Sequence, residues 1–513
     1  MNYTTHTLRT LVVAVSLAFL SSCSNDFIDV QDPNAVAATT YYRTENDVQL
    51  AVNGIYQSLR SGNSIGESSG IFNEERSDNT GRNDNQSNAG EPFQFNDFSL
   101  LPSNTYLKSH WLGLYQSISR SNQVLEGIER VTFANNDLKE QYKAEAKFVR
   151  ALIYFHLVRK WGDVPLVTKQ LTTADEVNAS TYREKKEVVY QQIIADLKDV
   201  VVSPLPNLPT AANKGRVSKA AGNALLGQVY LTMATTLDAA NRTTNLNEAK
   251  NYLTAAYNMR TFGDLKEIPY ADVFDVAKKT TNPESIFQIV NKQGDINYSS
   301  SIARNNQARG ENVNSLFTSN GAGGNVKMDL VKDYEEGDAR KDYSIKYAND
   351  PIVKDYFITK FRDNSAAATT NGFGGNDWIL IRYADVILML AEVHMHLGDD
   401  ATAIGFLNQV RERAGLPTYE VAKTNPDYVA KYPTLKLAIL HERRVELAFE
   451  NHRWYDLLRF FNTQELVAYF KSKPQADYGI AKLSNFGTKD RYYPIPFDEH
   501  KLNPEKMYQN AGY

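Results

Sequence analysis

The chain has 513 residues, with 56 Lys and Arg against 60 Asp and Glu, so its formal charge is −4 at neutral pH. This charge offers no general attraction for phosphate backbones and argues against a nucleic-acid partner. Cys23 is the only cysteine, which excludes an internal disulfide and a zinc site made of several cysteines.

The first 22 residues have the layout of a secretory signal that ends in a bacterial lipobox. Arg9 precedes the apolar run 11–20, and Leu-Ser-Ser leads into Cys23. Such a run is too short for a membrane span, which needs roughly 20 residues, and the polar residues after the cysteine argue against a buried thiol. We therefore predict a signal peptide over residues 1–22, a lipidated (palmitate-bearing) Cys23 and a tether over residues 23–44.

After residue 44 the apolar residues mostly recur at helical spacings of three and four, as Val48, Val52 and Ile55 do. This pattern predicts helices over residues 45–59, 111–128, 138–161, 186–201, 218–237, 247–259, 379–397, 401–414 and 435–461. Residues 285–290 and 355–358 are the clearest predicted strands. The chain is therefore predicted to be mainly α, with minor β hairpins.

Two pairs of predicted helices have the order of a tetratricopeptide hairpin. Residues 388–397 end at Gly398 and Asp399, and an alanine-rich helix follows from Ala401. Residues 224–231 and 249–257 repeat this order across a polar insert. Because the spacing between units is irregular, we predict degenerate repeats that build a tetratricopeptide-like helical hairpin scaffold.

Three polar loops interrupt the helices, at residues 61–90, 291–325 and 363–377. They combine amide, carboxylate and guanidinium groups with a few aromatic rings, such as Tyr298 and Phe373. This combination suits carbohydrate recognition, because sugar hydroxyls form hydrogen bonds with planar polar groups and the C–H face of a sugar ring packs on an aromatic ring. The alternative for any single loop residue is a solvated connection, since such loops are usually on the surface.

No motif for catalysis is visible in the sequence. The eight histidines form no His-Glu-x-x-His pair, and the segment 78–85 fails the spacing of a calcium-binding EF-hand loop. Glu442, Glu446 and Glu450 recur at four-residue spacing, but the neighbouring arginines favour an ion-pair lattice over a glycosidase carboxylate pair. We predict a protein that is not an enzyme and has no cofactor or metal, leaving a structural calcium open.

Several segments together resemble the SusD/RagB family of outer-membrane nutrient-binding lipoproteins of Bacteroidota. They are Asp32-Pro33-Asn34, AEAKFVRA at 144–151, WGDVPL at 161–166, RYADVILMLAE at 382–392, ERRVELAFENHRWYD at 442–456, YPIP at 493–496, Asn503-Pro504 and Gly512-Tyr513. Each segment alone is weak, whereas all of them in this order are specific. In physical terms we expect Arg382 and Asp385 to form buried charge pairs and Trp454 to fill a core.

The resemblance implies a SusD-like α-α superhelix with a loop-rich region that carries the ligand site. It implies one domain over residues 45–513, whose parts at about 45–300 and 301–513 share the helical scaffold. It also implies a glycan ligand, a SusC-like TonB-dependent receptor as partner, and attachment to the outer membrane through the lipid anchor, exposed at the cell surface. A peptide-binding uptake lipoprotein, a structural scaffold lipoprotein and a surface glycosidase are the alternatives.

Ligand sites of this family are commonly built from the segment between the first two helices and from the central loops. Carried over to this chain, that points to Asp78, Asn79 and Arg82 in the first loop and to Tyr298 and Arg304 in the second. On this hypothesis, replacing Asp78 and Arg82 with alanine abolishes glycan binding and leaves thermal unfolding nearly unchanged.

Overall fold

The computed structural model of this protein describes residues 41–82, 84–237, 239–306, 325–349, 354–371 and 373–513. The predicted signal peptide, Cys23 and the tether up to residue 40 lie outside the described residues, as do residues 307–324 of the second loop.

Helices dominate the described part of the chain. Those of eight or more residues are α1 (Glu45–Leu59), α2 (Thr105–Gly127), α3 (Asn136–Trp161), α4 (Lys186–Val202), α5 (Lys219–Thr236), α6 (Arg242–Asn258), α7 (Tyr383–His396), α8 (Asp400–Arg413), α9 (Leu435–Glu446), α10 (Arg453–Phe460) and α11 (Thr463–Ser472). Shorter α-helices are Phe93–Asn96, Ala174–Ser180, Tyr270–Phe274, Ile302–Asn305, Met328–Val331, Ala339–Ser344, Ala366–Asn371, Tyr419–Ala422, Pro426–Lys431 and Phe497–Leu502.

The described strands are short and pair into two-stranded antiparallel sheets. They are β1 (Thr80–Gly81), β2 (Ser285–Ile289), β3 (Asn325–Val326), β4 (Ile345–Asn349), β5 (Lys354–Ile358) and β6 (Trp378–Arg382). β1 pairs with β3, β2 with β6, and β4 with β5. The prediction of a mainly α fold with minor β content is confirmed.

Polar residues at the helix starts explain why several predicted bounds agree with the structure. Thr44 and Asp47 form a reciprocal capping box that begins α1, and Ser218 accepts a hydrogen bond from the amide of Ala221 to begin α5. Such caps satisfy amide groups that have no partner within the helix. The first predicted helix, at residues 45–59, has the predicted bounds.

Consecutive helices pack as hairpins, as in tetratricopeptide repeats. α5 packs on α6, and α7 packs on α8. Gly227 lets α5 and α6 approach closely, since a Cβ there would lie 2.6 Å from Cγ of Leu253. Gly398 ends α7 with a φ of +80°, a conformation that glycine adopts without strain. The structure therefore confirms the predicted helical hairpin scaffold.

The prediction of a helix from residue 379 is wrong at its start. Residues 378–382 form β6, which pairs with β2, and α7 begins only at Tyr383. The apolar run Ile-Leu-Ile suits a strand and a helix equally well. The partner strand, nearly 100 residues earlier in the chain, decides between them.

The prediction of one helix over residues 435–461 is also wrong. The chain leaves the helix after Glu446, and both Phe449 and Asn451 take left-handed backbone conformations with φ of 69° and 65°. The carboxylate of Glu74, in the first loop, accepts hydrogen bonds from the amides of Phe449 at 2.9 Å and Asn451 at 3.1 Å. A distant buried acid therefore supports the break, which no local pattern announces.

The main apolar core draws on residues from Val48 to Met507 and includes the fully buried Trp161. Smaller apolar clusters lie beneath α7 to α9 and around α10 and α11. Trp454 has no exposed surface, as the sequence predicted for a core residue. Among the described helices, none combines the length and the apolar composition of a membrane span.

Candidate functional site

The first and second polar loops meet in the structure. Gly81 of the first loop pairs with Asn325 across β1 and β3. Glu67 accepts hydrogen bonds from the hydroxyl of Ser300 at 2.6 Å and that of Ser301 at 2.9 Å. The third loop joins them as well, because the amide of Gly294 donates to the carbonyl of Phe373 and Ser300 bridges to Gly374. Segments far apart in the chain thus form one loop-rich region.

Asp78 lies fully buried beneath this region. Its carboxylate accepts two hydrogen bonds from Arg453, at 2.7 and 2.8 Å, and one from the hydroxyl of Tyr469 at 2.6 Å. A guanidinium nitrogen of Arg444 lies 3.3 Å away. Burial alone would raise the pKa of Asp78, but Arg444 and Arg453 hold that pKa well below its usual value. The contacts favour a structural role for Asp78 over direct ligand contact.

The neighbouring predicted residues are also engaged inside the protein. Asn79 is fully buried, donates to Glu74 at 2.8 Å and accepts from Arg444 at 2.9 Å. Arg82 is 27% exposed at its side chain and donates to Glu75 at 3.0 Å. The negative charge of Glu75 raises the pKa of Arg82. Ligand binding by these residues stays a prediction, and Arg82 is the more accessible of the two.

The glutamates of the C-terminal half form the ion-pair lattice that the sequence predicted, although Glu450 lies in the break after α9 rather than on its face. Arg382 donates to Glu446 at 2.6 Å and to Glu450 at 2.7 Å. Other members of the lattice are Glu284, Asp338, Arg340, Lys360, Arg411, Arg413 and Glu442. Despite burial, which would raise it, Arg382 and Lys360 lower the pKa of Glu450 to about 2. A glycosidase needs an acid with a raised pKa, so Glu450 does not suit that chemistry.

Three residues could together supply metal ligands, but their carboxylates already form ion pairs. Among the described residues, Glu335, His441 and Glu442 bring one ligand atom each within 4.8 Å of one another. Arg411 already binds both carboxylates, at 2.7 and 3.0 Å, and Arg340 binds Glu442 at 2.7 Å. A cation would have to displace these guanidinium groups, so the cluster is better explained as part of the ion-pair lattice.

A large open groove lies beside the loop-rich region, with a volume of about 1070 Å³. Its walls are the β4–β5 hairpin, the short helices before it and the segment 359–365. Polar side chains along the walls are Asp272, Asp275, Gln293, Lys341, Asp342, Lys346, Thr359, Arg362, Asp363, Asn364 and Ser365. The groove therefore offers carboxylate, amide, hydroxyl and cationic groups at one surface.

Three tyrosines supply its aromatic surface. Tyr347 and Tyr356 face each other across β4 and β5, with ring centroids 5.1 Å apart and an interplanar angle of 63°. Tyr347 is 46% exposed, and Tyr356 and Tyr343 are half-buried. The hydroxyl of Tyr343 donates to the carbonyl of Ala271 at 3.3 Å, which fixes that ring in the wall. The Tyr347 ring is the one presented to solvent.

The second loop connects the predicted residues to this groove. Gln293 lines the groove and donates to the carboxylate of Asp363 at 2.9 Å. Tyr298, five residues further on, is 48% exposed, and the guanidinium of Arg60 lies 5.6 Å from its ring centroid. Arg304 belongs to the short helix Ile302–Asn305, and its side chain lies outside what the structure describes. Tyr298 therefore lies at the surface, unlike Asp78, but it is not one of the residues that line the groove.

Most of the groove residues carry no signal that marks them as ligand-binding in the sequence. Tyr347 belongs to a strand that was not predicted, and its partner Tyr356 was predicted in a strand but not as a site residue. One usable signal was present, because the turn-forming residues Asn349-Asp350-Pro351 lie between two runs that contain aromatic and β-branched residues, a pattern that could have been read as a hairpin.

A helical hairpin scaffold with a loop-rich face and an aromatic polar groove defines a class of ligand-binding proteins. The sequence profile of the SusD family matches residues 235–513, and a second profile, described as "Starch-binding associating with outer membrane", matches residues 26–231. The chain belongs to the SusD family.

Known relatives match over almost the full chain. "SusD-like protein P2" of Formosa agariphila is 27% identical, over 97% of this chain and 98% of the relative. The solved structure of a "Laminarin binding SusD-like protein" is 25% identical, covers 92% of this chain and 100% of its own, and has a TM-score of 0.73. "Surface glycan-binding protein A" of Bacteroides uniformis is 20% identical with a TM-score of 0.74, over 91% of this chain and 99% of its own, and supports the fold alone. The two solved structures are binding proteins by name.

Proposed function

We propose that this protein is a glycan-binding lipoprotein of the outer membrane that captures oligosaccharide or polysaccharide in the groove. The observation that carries the proposal is the exposed Tyr347 ring set among carboxylate and amide groups. An aromatic face and planar hydrogen-bonding groups are what a sugar ring and its hydroxyls require. The name of the laminarin-binding relative, at 25% identity, supports the same ligand class.

The groove also bears on the peptide alternative. A peptide groove would be expected to be elongated and more apolar, whereas this one is lined by acidic, basic and amide side chains. Shallow polar sites exchange hydrogen bonds with water for hydrogen bonds with protein at small net gain, so weak to moderate affinity is expected. Tyr347 and Tyr356 are the proposed stacking residues, with Tyr298 as an accessory surface.

The test is to replace Tyr347 with alanine and measure retardation in affinity electrophoresis against a panel of polysaccharides that includes laminarin. Loss of the exposed ring is expected to weaken binding about tenfold or more. The thermal unfolding temperature should barely change, because Tyr347 is a solvent-facing residue of a hairpin.

Tyr182→Ala is the matched control, since Tyr182 is also exposed and lies outside the groove. Retained binding in both variants would contradict the placement of the site in the groove. Absence of retardation by any glycan, together with binding of peptides, would overturn the glycan ligand itself.

We further propose that Cys23 carries the lipid anchor and that a SusC-like TonB-dependent transporter receives the ligand. Several tens of CH₂ groups at roughly 0.8 kcal/mol each would make the attachment effectively permanent. Cys23→Ser is expected to leave folding and glycan binding unchanged and to abolish uptake by releasing the protein from the membrane. Cell fractionation and uptake assays check this, and membrane retention of the variant would refute the anchor.

A further inference from the structure

A second, smaller cleft lies away from the glycan groove and shares no lining residue with it. It is formed where the ends of α3, α5 and α10 meet the start of α4 and the segment 491–492. The cationic side chains in its wall are Arg159, Lys186, Arg459 and Arg491. No acidic side chain is among the residues that line it.

Arg159 is the exceptional residue of this cleft. It is 8% exposed, and its guanidinium lies between the rings of Phe155, at 3.7 Å, and Tyr455, at 3.6 Å. Its Nε donates to the carbonyl of Phe155 at 2.9 Å, and no further hydrogen bond or ion pair of its side chain occurs among the described residues. Burial lowers the pKa of Arg159 to about 10, so the group stays cationic at neutral pH.

The other buried arginines of the described chain have different partners. Nine of these ten form an ion pair with a carboxylate, namely Arg76, Arg150, Arg340, Arg382, Arg411, Arg443, Arg444, Arg453 and Arg459. Arg183 instead donates to three backbone carbonyls and the side chain of Asn510. Among the buried arginines of the described chain, only Arg159 has no ion pair and a single side-chain hydrogen bond, and burying an unpaired charge is costly.

Lys186 adds to the unpaired positive charge of the cleft, whereas Arg459 is paired with carboxylates. Lys186 reaches only the hydroxyl of Tyr492, at 3.5 Å, and forms no ion pair with any described residue. One guanidinium nitrogen of Arg459 is buried without a hydrogen-bond partner, although the others bind Glu392 and Asp456. Lys186 is half-buried and therefore reachable from solvent.

Helix dipoles account for part of this arrangement. Arg491 donates to the carbonyls of Leu458 and Phe461 at the end of α10, which is a normal way to neutralise a helix C-terminus. Arg159 itself lies in the last turn of α3, so this helix end also favours its positive charge, although only its Nε donates to a carbonyl. The terminal nitrogens of Arg159 are therefore open to an additional negative partner in the cleft.

We propose that this cleft binds one oxyanion, a sulfate, phosphate or carboxylate group held between Arg159 and Lys186. The free volume of the cleft is about 20 Å³, which is enough for one water molecule or one oxygen atom of an anion. One oxygen of the anion enters the cleft, and the remainder of the ligand lies at the mouth beside Lys186 and Arg491. The same chemistry is found in free inorganic anions and in sulfate or carboxylate substituents of a saccharide.

The test is isothermal titration of the purified protein with sodium sulfate and with sodium phosphate, against sodium chloride at equal ionic strength. Saturable binding of either oxyanion, weakened about tenfold or more in Lys186→Gln, is the expected result. Lys185→Gln is the matched control, since Lys185 is the adjacent, more exposed lysine and pairs with Asp163. Arg159→Gln should abolish the same binding and serves as the second variant.

Further titrations identify the source of the anion. Tighter binding of glucose 6-sulfate or glucuronate than of sulfate would assign the site to a charged saccharide, whereas equal or weaker binding would assign it to a free ion. No saturable oxyanion binding, or equal binding in Lys186→Gln, would overturn the proposal. Tyr347→Ala must leave this binding unchanged, which separates it from the proposed glycan groove.

Discussion

Replacing Asp78 with alanine is expected to lower the free energy of unfolding by about 3–5 kcal/mol, because removal of one partner strands buried opposite charges. Asp78 is fully buried, and its removal leaves Arg453 without its carboxylate and Arg444 with one partner fewer. This expectation differs from the one drawn from sequence, in which the alanine variant keeps its thermal stability. Denaturant unfolding of the purified variant measures the change.

Asp199→Ala is the control for this experiment, since Asp199 is 58% exposed and forms a surface pair with Lys147. Exposed pairs contribute little to stability, so this variant should resemble the parent protein. Glycan binding should be measured on folded Asp78→Ala below its unfolding transition. If binding is lost while the free energy of unfolding is unchanged, Asp78 contacts ligand directly and the structural assignment is wrong.

Replacing Arg382 with methionine is expected to be at least as destabilising, by about 3–5 kcal/mol or more. Arg382 is 1% exposed and donates to three glutamates, Glu284, Glu446 and Glu450. The methionine fills a similar volume, but it removes the guanidinium that neutralises these buried carboxylates. Arg130→Met, at an exposed position, is the control for loss of a cation.

The same variant should change how stability depends on pH. The pKa of Glu450 is lowered to about 2 in the folded protein and is about 4.3 in an unfolded chain. Its contribution to stability is therefore complete above about pH 4.3 and is lost as the pH falls through about 2. Without Arg382 the folded pKa of Glu450 rises, so acid unfolding should begin at a higher pH.

Circular dichroism melts of both proteins between pH 2 and 7 would show this shift. An identical acid transition in Arg382→Met and the parent protein would contradict the assigned role of Arg382 in the lattice.

Local pattern was sufficient for most of the helices. The stripe of Val48, Val52 and Ile55, with a capping threonine before it, predicts α1 with its observed bounds. Hairpin order likewise predicted the pairing of α7 with α8, because small residues and Gly398 leave few other ways to bury two apolar faces. These features depend on residues that are close to one another in the chain, and a single sequence shows those residues directly.

Long-range partners decided what local pattern could not. The strand β6 forms because β2 supplies hydrogen bonds across a large gap in sequence. The break after Glu446 persists because Glu74 accepts the amide hydrogen bonds of the left-handed turn. Neither partner can be chosen from one sequence, since hydropathy does not encode which distant segments meet.

The sequence by itself determined the family and the mainly helical fold, and it pointed to a polar, aromatic loop region. Only the tertiary structure decided which polar residues face solvent, because exposure depends on contacts between distant segments. Asp78 and Asn79 look like ligand residues in the sequence, yet Arg444 and Arg453 approach from over 350 residues away and bury Asp78 in ion pairs. Tyr347 carries no site motif in the sequence, yet strand pairing makes it an exposed residue that lines the groove.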